Sequence, residues 1–177
     1  MPTITVVSPV YNEAEGISIF CHEIFRYLDG LEFHVEILLC VDPCTDNTEI
    51  LIADLHKSDR RIKMIRFNRR VGQDIAVLAG IEHATGDAII VMDCDLQDPP
   101  SVLPEMVLRW SKGAKMILGK RTSRESDRFL KKLSSDIFYK FLNQFSEAPF
   151  PRDSGDFRLI DKSIATHVNK FHESRPF

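Results

Sequence analysis

The chain reads as an α/β protein, a mostly parallel sheet with helices on both faces, and three observations say so. Strand-like and helix-like patterns alternate about four times along the sequence, the order that winds strands in parallel with helices packed over them. The run Ala88 to Met92 is apolar without a break, as strands buried on both faces are. Polar groups follow four of the expected strands, at the carboxyl ends where such sheets bind ligands.

Taken in order, Thr3 to Val10 is rich in β-branched residues and carries Pro9 near its end, a first strand. Ile17, Phe20, Cys21, Ile24, Phe25 and Leu28 recur at three-and-four spacing, an amphipathic helix. Val35 to Val41 is a second strand, and Asp46-Asn47-Thr48 opens a helix running toward Lys57. Ile62 to Ile65 is a third strand. Gln73 to Ala84 is a helix, with Gly86 as its stop signal. Ala88 to Met92 makes the fourth strand. Leu103, Met106, Val107 and Trp110 mark another helix face, and Lys115 to Leu118 a short strand. Past Gly119 comes a basic stretch, Lys120 to Arg124. An apolar face follows, from Leu130 through Phe145, with Lys131, Lys132 and Lys140 among it. That face suits a helix lying in a membrane interface and equally a helix packed on the sheet. No repeat, low-complexity segment or linker interrupts the chain.

The fourth strand ends in the most informative segment, Asp93-Cys94-Asp95-Leu96-Gln97-Asp98-Pro99-Pro100. With extension carried past Met92, Asp93 and Asp95 point the same way, because side chains repeat every two residues. Two carboxylates converging on one cleft repel each other, and a hard divalent ion carrying phosphate oxygens relieves that repulsion. A lone Asp-x-Asp is more often a polar turn. The other strand ends change the balance: Tyr11-Asn12-Glu13, Asp42 and Asn68-Arg69-Arg70 follow the first three strands.

Composition sets bounds. At 177 residues the chain suits one domain with a full core. A net charge of −3 argues against general nucleic-acid binding. Charge is uneven, however: nine Lys or Arg lie between Arg109 and Lys132 against only Glu125 and Asp127. A solvated helix face accounts for such a run, and so does a surface that receives an anionic ligand or membrane. Cys21, Cys40, Cys44 and Cys94 form no Cys-x-x-Cys pair, which reads as reduced thiols, and a second ligand pair for zinc is missing. Met1-Pro2-Thr3 leads straight into a strand without a signal peptide. No apolar run approaches the ~20 residues of a membrane span, so the expectation is a soluble or membrane-peripheral domain.

In combination, several segments carry a resemblance. They are Val7-Ser8-Pro9-Val10-Tyr11-Asn12-Glu13, the Asp42 segment, Gly72-Gln73 through Ala79-Gly80, Gly86-Asp87, Asp93 through Pro100 and Ser154-Gly155-Asp156-Phe157-Arg158. Together they resemble the family 2 glycosyltransferases with a GT-A-type, Rossmann-like fold. The nearest branch is the polyprenyl-phosphate sugar transferases, bactoprenol glucosyltransferases and dolichyl-phosphate mannose synthases, and the resemblance covers nearly the whole chain.

That resemblance implies inverting transfer of a sugar from a UDP- or GDP-linked donor to a polyprenyl phosphate at the cytosolic membrane face. It implies a nucleotide-sugar-binding core over about 1–119 and an acceptor-side, membrane-facing segment over 120–177. By the same resemblance Pro9, Tyr11 and Glu13 shape the base and ribose pocket, Asp42 recognises the base, and Asp93 stands by the ribose or the metal. Asp95 and Gln97 coordinate Mg²⁺ or Mn²⁺, Arg121 binds the diphosphate and Asp156 is the catalytic carboxylate. Lys131, Lys132 and Arg158 fall on the acceptor and phosphate side. Two departures stand out. The family's Asp-Asp-Gly-Ser type segment is here Val41-Asp42-Pro43-Cys44, so its first acid is missing. Relatives also continue past Arg175-Pro176-Phe177 into membrane-spanning helices that this chain does not include. A saccharide acceptor, or a nucleotide-binding remnant without turnover, are the alternative readings.

Overall fold

The strand nearest the chain's start organises the sheet, because it is buried on both faces. In the computed structural model, which describes residues 1–120 and 154–168, β1 spans Thr3–Val10. It pairs in parallel with β2 (His34–Val41) on one side and with β4 (Ala88–Val91) on the other. β3 (Ile62–Arg66) adds to β2 in parallel. Two further strands, β5 (Met116–Lys120) and β6 (Ser154–Asp161), give the order β3-β2-β1-β4-β6-β5. β6 runs antiparallel to β4, with Ala88 opposite Asp161 and Val91 opposite Arg158. The sheet is therefore mixed and mostly parallel. By compactness the chain divides into two units, Met1–Ile117 with Asp156–Phe177, and Leu118–Gly155; the first holds the elements that matter below.

Alternation along β1 and β2 sends side chains to two separate cores. Ile4, Val6 and Val10 of β1 with Ile37, Leu39 and Val41 of β2 pack beneath Phe20 and Ile24 of α1 (Ile17–Leu28), Ile52 of α2 (Thr48–Ser58) and Met106 of α4 (Leu103–Ser111). Val7, Leu38 and Cys40 face the other way, against Ala76, Val77 and Ile81 of α3 (Gln73–His83) and Ala165 of α5 (Lys162–Val168). Burying one such Ile or Leu is worth roughly 1.5–3 kcal/mol, and β1 contributes to both layers. Among the described residues, no helix is long and apolar enough to cross a membrane.

Several sequence expectations shift at their edges. β2 starts one residue earlier than the apolar run, β4 stops at Val91 rather than Met92, α3 ends at His83, and the fifth strand starts one residue later and ends two later. Gly86 does not stop α3 by a left-handed turn; among the described residues the positive-φ glycines are Gly30, Gly72 and Gly113. It is small for a different reason. Its N–H donates to Thr5 Oγ1 at 2.9 Å, and a Cβ there would meet Thr5 Oγ1 at 2.7 Å. β6 and α5 were not expected at all. Asp161 ends β6 and caps α5, its carboxylate accepting the Ser163 N–H at 3.0 Å, while Trp110 Nε1 of α4 donates to it at 2.8 Å.

The amino-terminal edge of the sheet buries one charge and satisfies it. Glu36 accepts from Thr5 Oγ1 (2.6 Å), Thr85 Oγ1 (2.7 Å) and Lys63 Nζ (2.6 Å). Burial pushes the Glu36 carboxyl up, but those three donors more than offset it and hold it below the usual range.

α3 sits unusually near the sheet. A Cβ on Gly80 would lie 2.3 Å from Val7 Cγ1 and 2.8 Å from Cys40 Sγ. In a free helix Gly→Ala is favourable by about 1 kcal/mol, yet overpacking a filled core costs roughly 1–3 kcal/mol. Because both neighbours are buried strand residues, the steric cost wins. Gly80→Ala should lower unfolding stability by about 1–3 kcal/mol, read from denaturant melts; a variant more stable than the parent would show that α3 has room to move away.

Candidate active site

At the carboxyl edge of the sheet, the turns after β1 and β2 are stitched together. Asn12 takes a left-handed conformation, φ 55°, which Asn tolerates better than most residues. Its Oδ1 accepts the Thr45 N–H at 2.8 Å, and its Nδ2 donates to Thr45 Oγ1 at 3.0 Å. The Glu13 N–H reaches Thr48 Oγ1 at 2.8 Å, and the Glu13 carbonyl accepts from Gly16 and Ile17, opening α1. Asp46, not Asn47, supplies the capping carboxylate of α2, accepting from the Thr48 N–H at 3.0 Å and its hydroxyl at 2.6 Å. Tyr11 and Glu13 are thereby held at fixed places beside β2.

Asp42, one residue past β2, is only 4% exposed. Its two carboxylate oxygens accept the N–H groups of Val71 (2.9 Å) and Gly72 (3.0 Å). Gly72 has φ 85°, a conformation that side-chain-bearing residues rarely adopt, and it caps α3. On either side of this clamp, Arg70 lays its guanidinium 3.9 Å from the Tyr11 ring centroid, and Gln73 Nε2 donates to Asp93 Oδ1 at 3.1 Å.

The acid segment after β4 bends sooner than extension predicts. The strand ends at Val91, and a turn begins at Cys94. Leu96 is left-handed, φ 59°, and the Gln97 N–H folds back onto Asp95 Oδ1 at 3.0 Å. This is an Asx-type turn, in which the aspartate replaces a backbone acceptor. Asp93 and Asp95 still face one pocket, but a turn rather than strand periodicity brings them there.

That pocket, about 300 Å³, is lined by Pro9 of β1, by Tyr11 and Glu13 just after it, by Asp42 after β2, and by Asp93 and Asp95 after β4. Arg70, Gly72 and Gln73 close its fourth side. Gln97 is exposed and outside the lining, with its backbone N–H on Asp95. Arg158 stands opposite Val91 in the sheet, also outside the lining. Asp156 belongs to β6, whereas Arg121, Lys131 and Lys132 lie outside the described residues. Sequence reasoning assigned no role to Arg70 or Gln73. The signal was present in the polar triplet Asn68-Arg69-Arg70 after β3, which is as well placed as the groups after the other strands.

The pocket's ionisable groups are mostly acidic. Burial raises the Glu13 carboxyl above its usual range, and the charges of Asp95, Asp46 and Asp93 raise it further. Among the described residues no cluster of three or more acidic, His or Cys groups could hold a metal ion by itself. The donors that do face the pocket, oxygen-bearing carboxylates on one wall, fit a hard divalent ion that keeps water or phosphate oxygens. Thiolate chemistry does not fit: burial pushes the Cys94 thiol up to about 12, so it stays protonated at neutral pH.

An α/β domain with this strand order and an acid-lined carboxyl edge is of the GT-A type, and solved glycosyltransferases share it. One is the glucosyl-3-phosphoglycerate synthase of Mycobacterium tuberculosis, solved with Mn²⁺, UDP and phosphoglyceric acid. It aligns over 92% of this chain and 57% of its own with TM-score 0.64 and 20% identity. Another is the mannosyltransferase of Pyrobaculum calidifontis, solved with GDP-Man and Mn²⁺. It covers 96% of this chain and 47% of its own at TM-score 0.65 and 17% identity. At such identities the likeness speaks for the fold alone. The sequence goes further. The family model for glycosyl transferase family 2 matches residues 5–168, and the chain belongs to that family. It is 38% identical, over 98% of its length, to the "Prophage bactoprenol glucosyl transferase homolog" of Escherichia coli (strain K12). The chain spans a little over half, 57%, of that relative.

The raised Glu13 carboxyl yields a signed prediction. A group that binds its proton more tightly when folded loses stability as pH rises through its folded pKa. Glu13→Gln should therefore raise the melting temperature of the cation-free protein at pH 7, with the gain fading as pH falls through the carboxylate range. Melting curves at a series of pH values check this, and a lower melting temperature for the variant at pH 7 would contradict it.

Proposed function

We propose that this chain transfers one sugar from a nucleotide diphosphate sugar to a polyprenyl phosphate, with inversion at the anomeric carbon, at the cytosolic face of a membrane. The observation that carries the reading is the single pocket in which Tyr11, Asp42, Arg70 and the Asp93–Asp95 pair converge, in a chain of this family. The name of the Escherichia coli relative supports a polyprenyl acceptor and glucose as the sugar. The titles of the solved glycosyltransferases support a nucleotide donor and Mn²⁺.

In this reading Pro9, Tyr11 and Glu13 shape the base and ribose pocket, Asp42 stands at its base end, and Asp93 meets the ribose. Asp95 and Gln97 would hold Mg²⁺ or Mn²⁺, which when bound would supply positive charge for the departing diphosphate. Arg121 adds a guanidinium to the same diphosphate, and Lys131, Lys132 and Arg158 receive the lipid phosphate. A phosphate oxygen attacks the anomeric carbon while the bond from that carbon to the nucleoside diphosphate oxygen breaks on the opposite face. The acceptor needs little activation, since a phosphate monoester with a second pKa of about 6 is mostly dianionic at neutral pH. Asp156 thus orients the acceptor or stabilises positive charge on the sugar rather than removing a proton. The antiparallel register between β4 and β6 favours such a place. Asp156 lies two residues before Arg158, which stands opposite Val91 at the end of β4, and that position supports the reading.

Two measurements test this. Titrating UDP and GDP into the wild type and Asp95→Ala, with and without Mn²⁺, should show binding that needs both the cation and the carboxylate. Metal-independent binding of equal strength in both proteins overturns the cation assignment. Asp156→Asn should leave nucleotide affinity unchanged and lower transfer to polyprenyl phosphate by about 10²–10³-fold, with no recovery from pH 7 to 9. Full transfer by the variant removes Asp156 from the mechanism.

A further inference from the structure

Thr48 opens α2 and has no exposed surface, yet its hydroxyl is bonded on both sides. It donates to Asp46 Oδ1 at 2.6 Å and accepts the Glu13 N–H at 2.8 Å. The helix itself does not require this. Asp46 already caps α2 through the Thr48 N–H at 3.0 Å, a bond that Thr48→Val leaves in place. What the hydroxyl adds is a tie to a different element, the turn after β1. Asp46 extends that tie by one residue, its Oδ2 accepting the Ala14 N–H at 3.2 Å. Asp46 and Thr48 therefore hold two consecutive amides of the turn.

The turn needs such a hold. Asn12 is left-handed, φ 55°, and a residue with a side chain keeps that conformation only where its surroundings fix it. Glu13 is fixed from both ends, by its N–H on Thr48 and by its carbonyl, which accepts from the Gly16 and Ile17 N–H groups. Tyr11 and Glu13, on either side of Asn12, both line the pocket, while Thr48 stands outside the lining. The directions of those two side chains follow from the turn, which brings the Tyr11 ring centroid within 3.9 Å of the Arg70 guanidinium.

We propose that Thr48 is a positioning residue for nucleotide binding, a role that rests on the nucleotide reading of the pocket. Its hydroxyl, oriented by Asp46, sets the Tyr11–Glu13 turn and with it the wall that meets base and ribose. Thr48 touches no ligand in this arrangement and acts only through the backbone that it holds.

Calorimetry with UDP and with GDP, in the presence of Mn²⁺ and at a temperature where the variants are folded, compares wild type, Thr48→Val, Thr48→Ser and Asp46→Ala. Thr48→Val keeps the shape, removes both hydroxyl bonds and should weaken binding about tenfold. Thr48→Ser keeps the hydroxyl and should stay within about threefold of wild type. Wild-type affinity in folded Thr48→Val overturns the proposal. So does a Thr48→Ser variant as weak as Thr48→Val, because the methyl group is then what matters. Asp46 is exposed, so Asp46→Ala opens no core cavity, and it decides the matter should Thr48→Val fail to fold. On charge alone, removing an aspartate whose field reaches Glu13 tightens the binding of an anionic nucleotide. Loss of the hydroxyl's orientation weakens it. Weaker binding by Asp46→Ala supports the role of Thr48, and equal or tighter binding overturns it. Without nucleotide, amide exchange at Glu13 should quicken in Thr48→Val and Asp46→Ala, and the Arg70 side-chain resonances should lose the ring-current shift from Tyr11. Both should stay at wild-type values in Thr48→Ser. Unaltered exchange and shifts in the first two variants overturn the tie. Should the wild type bind neither nucleotide, the nucleotide reading is what fails, and these ligand-free measurements still decide whether Thr48 sets the turn.

Discussion

The parallel pairing of β1 on both of its sides is the constraint on which the rest of this structure depends. Val10 is in register with Val41, and Val7 with Val91. Parallel strands bring their carboxyl ends to the same edge of a sheet, so the residues just beyond them, Tyr11, Asp42 and Asp93, arrive together without any long-range instruction of their own. A slip of one residue in either pairing would exchange the buried and opposite faces of a whole strand. Ile4, Val6 and Val10 would then leave one core while Val7 left the other. The apolar pattern that secures the register is therefore also what assembles the pocket.

The two edges of the sheet treat their carboxylates in opposite ways. Glu36 accepts from three donors across both of its oxygens and is held below its usual pKa range. Glu13 is partly buried among other acids and is raised above it. The first pattern is that of a structural charge, resolved inside the fold. The second is an unresolved charge, and clefts that hold such groups are where ligands and chemistry are found. Arg70 moderates the imbalance on one side of the pocket, where it lies over Tyr11 rather than against a carboxylate.

Much of this was legible in the sequence because apolar periodicity survives without knowledge of neighbours. β1, α1 and the starts of α3 and β4 follow directly from it, and the polar groups after β1, β2 and β4 were recognisable by position. What failed was information that lives between distant residues. Nothing in Ser154 to Asp161 says that this segment joins the sheet beside β4 and runs the other way. Gly86 looked like a helix stop, while its real constraint is the hydroxyl of Thr5, far away in sequence. The convergence of Asp93 and Asp95 was anticipated, but its cause was not, since a left-handed Leu96 is invisible to any periodic pattern. Arg70 stayed unassigned for the same reason: its partner, Tyr11, follows another strand.

The antiparallel strand β6 has a consequence for how the chain comes off the ribosome. β4 is complete once Val91 has been made, but its outer edge is covered only by Arg158 through Asp161. Phe157 and Leu159 are likewise among the residues that fill the core beneath α1 and α4. Domains fold as they are synthesised, at roughly 5–20 residues per second. For several seconds, then, the nascent protein carries an open strand edge beside an incomplete core, a state that invites pairing with other chains. Among the described strands β6 is the latest in the chain, and it is the one that covers this side of β4.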